Sequence, residues 1–210
     1  MQTGLLIEVF TIVVLILSVI LHEVAHGYAA YFLGDPTAKY AGRLTLNPFA
    51  HIDPVGSLLV PALLVLTNAG MLFGWAKPVP YNPYNLRNQR FGEAIVGVAG
   101  VATNLLLAVV LALLARLAVS SGAELPASLL ALASYVNLFL GMFNLIPFPP
   151  LDGFTVLRGL LPYRYAADLR GIEARLGGVV GLLLFLLLFS YVLAGPFSAL
   201  VEYVFGLLVG

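Results

Sequence analysis

The chain has 210 residues, 61% of them hydrophobic and 10% charged, with ten basic side chains against ten acidic ones. A soluble domain carries about a quarter charged residues, so a water-facing surface cannot be built from this set, and the neutral balance gives no footing to nucleic acid or another strongly charged partner. Cysteine is absent, which excludes disulfides and thiolate metal sites.

With a mean hydropathy of +1.01, the sequence reads as an all-α integral membrane protein. A crossing needs about 20 apolar residues, and candidate segments lie near 5–33, 55–74, 93–119, 127–146, 178–194 and 196–210. Residues 1–21 hold no Lys or Arg, so the first segment is expected to be a retained helix rather than a cleaved signal. The last two segments meet at Gly195-Pro196 and predict a helical hairpin near 178–210 or one broken helix. The expected organisation is a single membrane domain over 1–210 with its core near 5–158, folded as a polytopic bundle of about five to six membrane segments.

Basic residues orient the bundle. Lys39, Arg43, Lys77, Arg87, Arg90, Arg158, Arg164, Arg170 and Arg175 fall in loops 34–54, 75–92 and 147–177, while the loop near 120–126 holds only Glu124. By the positive-inside rule the three basic loops are cytoplasmic. A single crossing by 55–74 would put two of them on opposite sides. The region 55–92 is therefore expected to hold a re-entrant or extended element, and the three prolines of GWAKPVPYNP exclude a helix there.

Chemistry sits in the first helix. His22-Glu23-Val24-Ala25-His26 places two imidazoles at i and i+4 on one helix face, within reach of one cation. The glutamate beside them can take a proton from an activated water. The bland reading is a packing pair, but three ionisable groups inside an apolar helix are costly and are usually functional. A hydrolytic zinc site needs a third protein ligand and an open position. Candidates are His51, Asp152 in the run NLIPFPPLDG, and Asp35 and Asp53, each of which precedes proline and suits an Asx turn. Asp152 follows an apolar helix through stiff prolines and precedes a glycine, although an ordinary Asp-Gly turn fits the spacing as well. His51 stays open as a loop residue, a proton donor or a fourth ligand.

These two motifs, HEVAH and then NLIPFPPLDG, resemble the site-2 protease family of intramembrane zinc metalloproteases, over residues 18–158. GRLTLNPFAHIDP and FGWAKPVPYNP are similar to its compact bacterial and archaeal branch. The resemblance implies zinc held by His22, His26 and Asp152, Glu23 as the catalytic glutamate, and Asn144 near substrate or the oxyanion. It implies a membrane-protein substrate cut within a transmembrane helix, in a prokaryotic plasma membrane with the site open to the cytoplasm. The third segment departs from the family's Ala-Gly-Pro-x-x-Asn: Val101 stands where proline is common, with Gly100 and Asn104 kept. Extended stretches near 43–47 and 77–81 could hold an unwound substrate by edge pairing. Asn104 and Asn137 lie on glycine-bearing helix faces and read as packing contacts between helices. Two other classes compete: a catalytically silent pseudoprotease, which would normally have lost Glu23 or a ligand, and a metal or ion transporter, which should show internal repeats.

Overall fold

The computed structural model describes residues 2–66, 74–176 and 178–210. Its long elements are α1 (Gln2–Phe32), α4 (Gly92–Ser120), α5 (Glu124–Asn144) and the pair α8 (Gly178–Leu188) and α9 (Ala194–Val209). The shorter ones are α2 (Thr37–Tyr40), α3 (Val60–Leu66), α6 (Asp152–Leu160) and α7 (Tyr163–Leu176). Four helical stretches among the described residues are long and apolar enough to cross a membrane: Gly4–Phe32, Gly92–Ser120, Glu124–Asn144 and Gly181–Val209. The protein is a polytopic helical membrane protein.

At its C-terminal end α1 is closed by Gly34, whose φ of +105° suits glycine. The Asp35 N–H then reaches back to the Ala30 carbonyl at 2.9 Å. The α4–α5 pair is antiparallel around Gly122 (φ +76°), and α4 faces its neighbours with the buried small residues Ala108, Ala112 and Ala115. In lipid such residues let helix backbones approach closely. Against this pair α9 packs Val201, Phe197 and Phe205.

The C-terminal segments form one continuous helix. A π-helical turn, Phe189–Leu193, joins α8 to α9 with no reversal of the chain. Pro196 lacks an N–H and its ring crowds the carbonyl one turn back. The wider π turn just before it absorbs that defect without a break. Of the two sequence expectations for 178–210, the structure takes the single interrupted helix, not the hairpin.

In the region 54–82 the described residues on the two sides of 67–73 come back together. A π-helical turn, Pro54–Leu59, leads into α3, and residues 67–73 of the predicted 55–74 segment lie outside the described residues. Trp75 N–H then donates to the Gly56 carbonyl at 3.2 Å, and Lys77 N–H to the His51 carbonyl at 2.9 Å. From Gly74 to Asn82 the chain has no regular secondary structure. This return resolves the charge conflict, because 34–54 and 75–92 meet at one end of the bundle. Asp35 ties them further, accepting from Asn82 N–H at 2.7 Å and Asn85 Nδ2 at 2.8 Å. The third basic loop joins the same end through Arg158 and Glu93. At the other end Arg116 Nε donates to the Val209 carbonyl at 3.1 Å.

Candidate metal centre

Three side chains from two helices converge beneath the basic end. His22 and His26 lie one turn apart on α1, and Asp152 opens α6. Asp152 Oδ2 lies 2.8 Å from His22 Nε2 and 3.2 Å from His26 Nε2, and the two Nε2 atoms are 3.0 Å apart. Both histidines are buried, and Asp152 Oδ2 is buried without a hydrogen-bond donor. Asp152 enters the site as an anion, as an ordinary aspartate carboxyl is at neutral pH.

The far side of each ring decides what the near side offers. His26 Nδ1 lies 2.7 Å from the Val96 carbonyl, which can only accept, so Nδ1 carries the proton. His22 Nδ1 lies 2.5 Å from Asn104 Oδ1, again an acceptor. Both Nε2 atoms therefore present lone pairs toward each other and toward a carboxylate oxygen. Three acceptors packed at 2.8–3.2 Å repel one another unless a cation lies between them. Ligands at about 2.0–2.1 Å on a tetrahedral zinc are about 3.3 Å apart, close to this triangle. The donor set fits zinc, with two imidazoles, one carboxylate and a fourth position for solvent.

Glycines make the approach possible. A β-carbon at Gly159 would come within 2.5 Å of the Ala94 backbone nitrogen, so α6 lies directly on α4. One at Gly153 would fall 2.2 Å from the Leu145 carbonyl, so the turn after Asp152 closes only with glycine. The α6–α4 contact is locked by charge: Arg158 Nε meets Glu93 Oε2 at 2.9 Å, Arg158 Nη1 contacts Glu173, and Arg170 Nη2 meets Glu93 Oε1 at 3.1 Å. Burial pushes the Tyr81 phenol, which bonds Arg158, above its ordinary value, so it stays protonated.

Glu23 is half-buried beside the triangle, and its Oε2 accepts the Val79 N–H at 2.8 Å. Along this stretch of chain, residues 75, 77 and 79 all turn their backbone groups inward. Trp75 N–H and C=O meet Gly56 and Ser57, Lys77 N–H meets His51, and the Lys77 carbonyl takes the Arg43 guanidinium. Pro78 and Pro80 have no N–H, and those of Lys77 and Val79 are taken, so residues 77–80 offer no free N–H.

The remaining candidates are spread apart. His51 is not in the cluster: its Nε2 lies 2.9 Å from the Thr45 carbonyl, and its Nδ1 is buried without a partner. Asp53 caps the π turn by accepting from Val55 and Gly56 N–H, and Asp35 accepts from Thr37 and the 82–85 segment. Both are structural acceptors, as their Asp-Pro context suggested. Asn144 donates to the Leu140 carbonyl of its own helix at 3.0 Å, leaving its second N–H for another partner. The sequence reading underrated Asn104, which is fully buried and bonds His22 directly. An amide four residues past Gly100 in an apolar helix was the signal available.

Comparison with known proteins points the same way. Residues 120–188 match the profile of peptidase family M50. The chain is 40% identical over 196 residues to YwhC of Bacillus subtilis (strain 168), covering 88% of this chain and 84% of that protein. It is 32% identical over 142 residues to Rip2 of Mycolicibacterium smegmatis, covering 68% of this chain and 53% of Rip2. MJ0392 of Methanocaldococcus jannaschii is 27% identical over 153 residues, covering 73% of this chain and 34% of that protein. Zinc metalloprotease stands in the name of each. No solved structure matches.

Proposed function

Since the chain belongs to peptidase family M50, the site-2 proteases, and is a membrane zinc metalloprotease, we propose that it is an intramembrane endopeptidase that hydrolyses peptide bonds within the transmembrane helices of other proteins. In this reading His22, His26 and Asp152 hold the zinc, Glu23 moves the proton, and the site opens to the cytoplasm of a prokaryotic cell. The observation that supports it best is the triangle of acceptors that two histidines of a membrane helix form with Asp152.

Bound zinc supplies a Lewis acid that acidifies water and polarises a carbonyl. Val79 N–H holds Glu23 Oε2, which leaves Oε1 to take a proton from the attacking water. Glu23 then returns that proton to the leaving amine. Burial of the histidines keeps bulk solvent from competing for their lone pairs. A helical substrate hides its carbonyls in hydrogen bonds, so it must unwind before it reaches the site. Asn144, at the end of α5, has one N–H left for a substrate carbonyl or the developing oxyanion.

The test is zinc content and cleavage of a transmembrane-helix reporter in proteoliposomes. Wild type should hold one zinc and cut. Glu23→Gln should hold zinc and lose about 10²–10⁴-fold in rate, while Asp152→Ala should lose both. Wild-type cleavage by Glu23→Gln, or full zinc in Asp152→Ala, overturns the assignment.

A further inference from the structure

Behind the triangle, two asparagines from different helices form a single file of hydrogen bonds. Asn137 on α5 donates its Nδ2 to the Ala133 carbonyl at 2.9 Å. A carbonyl can only accept, so this contact fixes which end of the Asn137 amide is nitrogen. Its Oδ1 is thereby turned to Asn104 on α4, and Asn104 Nδ2 donates to it at 3.0 Å. The Ser18 carbonyl lies 3.4 Å from the same Asn104 nitrogen and favours the same orientation. Asn104 Oδ1 is then left facing His22 Nδ1 at 2.5 Å. Asn104 is 0% exposed and Asn137 2%, so no water competes for these groups.

We propose that Asn137 is a positioning residue for the metal centre: through Asn104 it dictates which ring nitrogen of His22 carries the proton, so that Nε2 faces the triangle with a lone pair. His26 needs no such device, because the Val96 backbone carbonyl does the same for it. With the Asn137 oxygen removed, only the longer 3.4 Å contact to the Ser18 carbonyl opposes a flip of the Asn104 amide. Its NH2 then faces His22 Nδ1, which must accept, and the ring proton moves to Nε2, where it blocks a ligand position. What matters is the common direction, set at one end by a backbone carbonyl and read at the other by an imidazole.

The proposal rests on His22 being a zinc ligand, and the experiment separates the two ideas. Zinc affinity of the full chain in detergent is measured by competition with a chromophoric chelator. Partners that orient a metal-bound histidine typically account for 10–100-fold in metal affinity, so Asn137→Leu should bind zinc about 10–100-fold more weakly. Asn137→Ser, which keeps a polar group but is too short to reach Asn104, should fall likewise, and it serves if the leucine variant does not fold. Asn137→Asp, kept protonated by burial so that its O–H donates to the Ala133 carbonyl, still offers its other oxygen to Asn104 and should bind zinc more tightly than Asn137→Leu. Ser134→Ala is the packing control: Ser134 is buried in the same α4–α5 contact and bonds the Ala108 carbonyl, outside the file. It should bind zinc as wild type does. Wild-type affinity in Asn137→Leu and Asn137→Ser overturns the proposal, and so does an equal loss in Asn137→Asp or Ser134→Ala. Full affinity in His22→Ala would instead overturn the centre itself.

Discussion

Glu23 and Val79 are joined by a 2.8 Å hydrogen bond from backbone to carboxylate, so the acid of α1 and the chain that follows Gly74 form one unit. The sequence separates them by 56 positions. Whatever holds that chain in place therefore also aims the carboxylate.

Val79→Pro removes that donor between two residues that are already proline. A hydrogen bond to a charged group is worth about 1.5–3 kcal/mol, so cleavage should fall by about 10–100-fold with zinc content unchanged. Val79→Ala keeps the N–H and should retain activity. Equal rates for the proline and alanine variants would remove this bond from the mechanism.

A β-carbon on Gly100 would sit 2.4 Å from His26 Nε2 and 2.8 Å from His22 Cε1, against the triangle itself. Gly100→Ala should therefore displace both imidazoles. A shift of about 1 Å at a reacting centre can cost on the order of 100-fold, and the expected readout is a comparable loss of cleavage together with reduced zinc content. Full zinc occupancy in this variant would show that the rings can yield without losing the ion.

Removing one partner of a buried ion pair leaves the other uncompensated, at a cost of about 3–5 kcal/mol. Glu93 and Arg158 are both buried, and Arg158 lies on the helix that Asp152 begins. Glu93→Ala should lower the thermal unfolding midpoint and weaken zinc retention, with loss of α6 docking preceding global unfolding. An unchanged midpoint would show that the Glu173 contact alone suffices.

Burial raises the Asp35 carboxyl, but hydrogen bonds from Thr37, Asn85 and Asn82 outweigh it and lower its pKa from the ordinary value. A depressed folded pKa means that the group's contribution to stability is complete above the unfolded value, about 3.9. It is lost as pH falls through the folded value. Asp35→Asn should be less stable at neutral pH, and its unfolding midpoint should fall less steeply below about pH 4. A parallel acid profile in mutant and wild type would refute this.

Much of the site was legible because its signals are local. The i, i+4 spacing of His22 and His26 needs nothing beyond helix geometry. The basic loops exposed the topological conflict that the Gly56–Trp75 return resolves. Asn137 meets the facing helix as expected, whereas Asn104 was underrated, because a polar amide in an apolar helix has two readings and only the facing helix chooses between them. The fate of His51 depends on where one loop folds, which spacing cannot convey. Pro196 marked a defect correctly, yet whether a chain reverses there depends on whether the preceding turn can widen.

The lack of a free N–H from Lys77 to Pro80 has a consequence for molecules meeting in the bilayer. Two copies brought side by side along this stretch would oppose acceptors to acceptors, with no donors to zip together. An exposed extended segment is ordinarily an invitation to self-association. Here the invitation is open to a donor-bearing guest and closed to the protein's own twin.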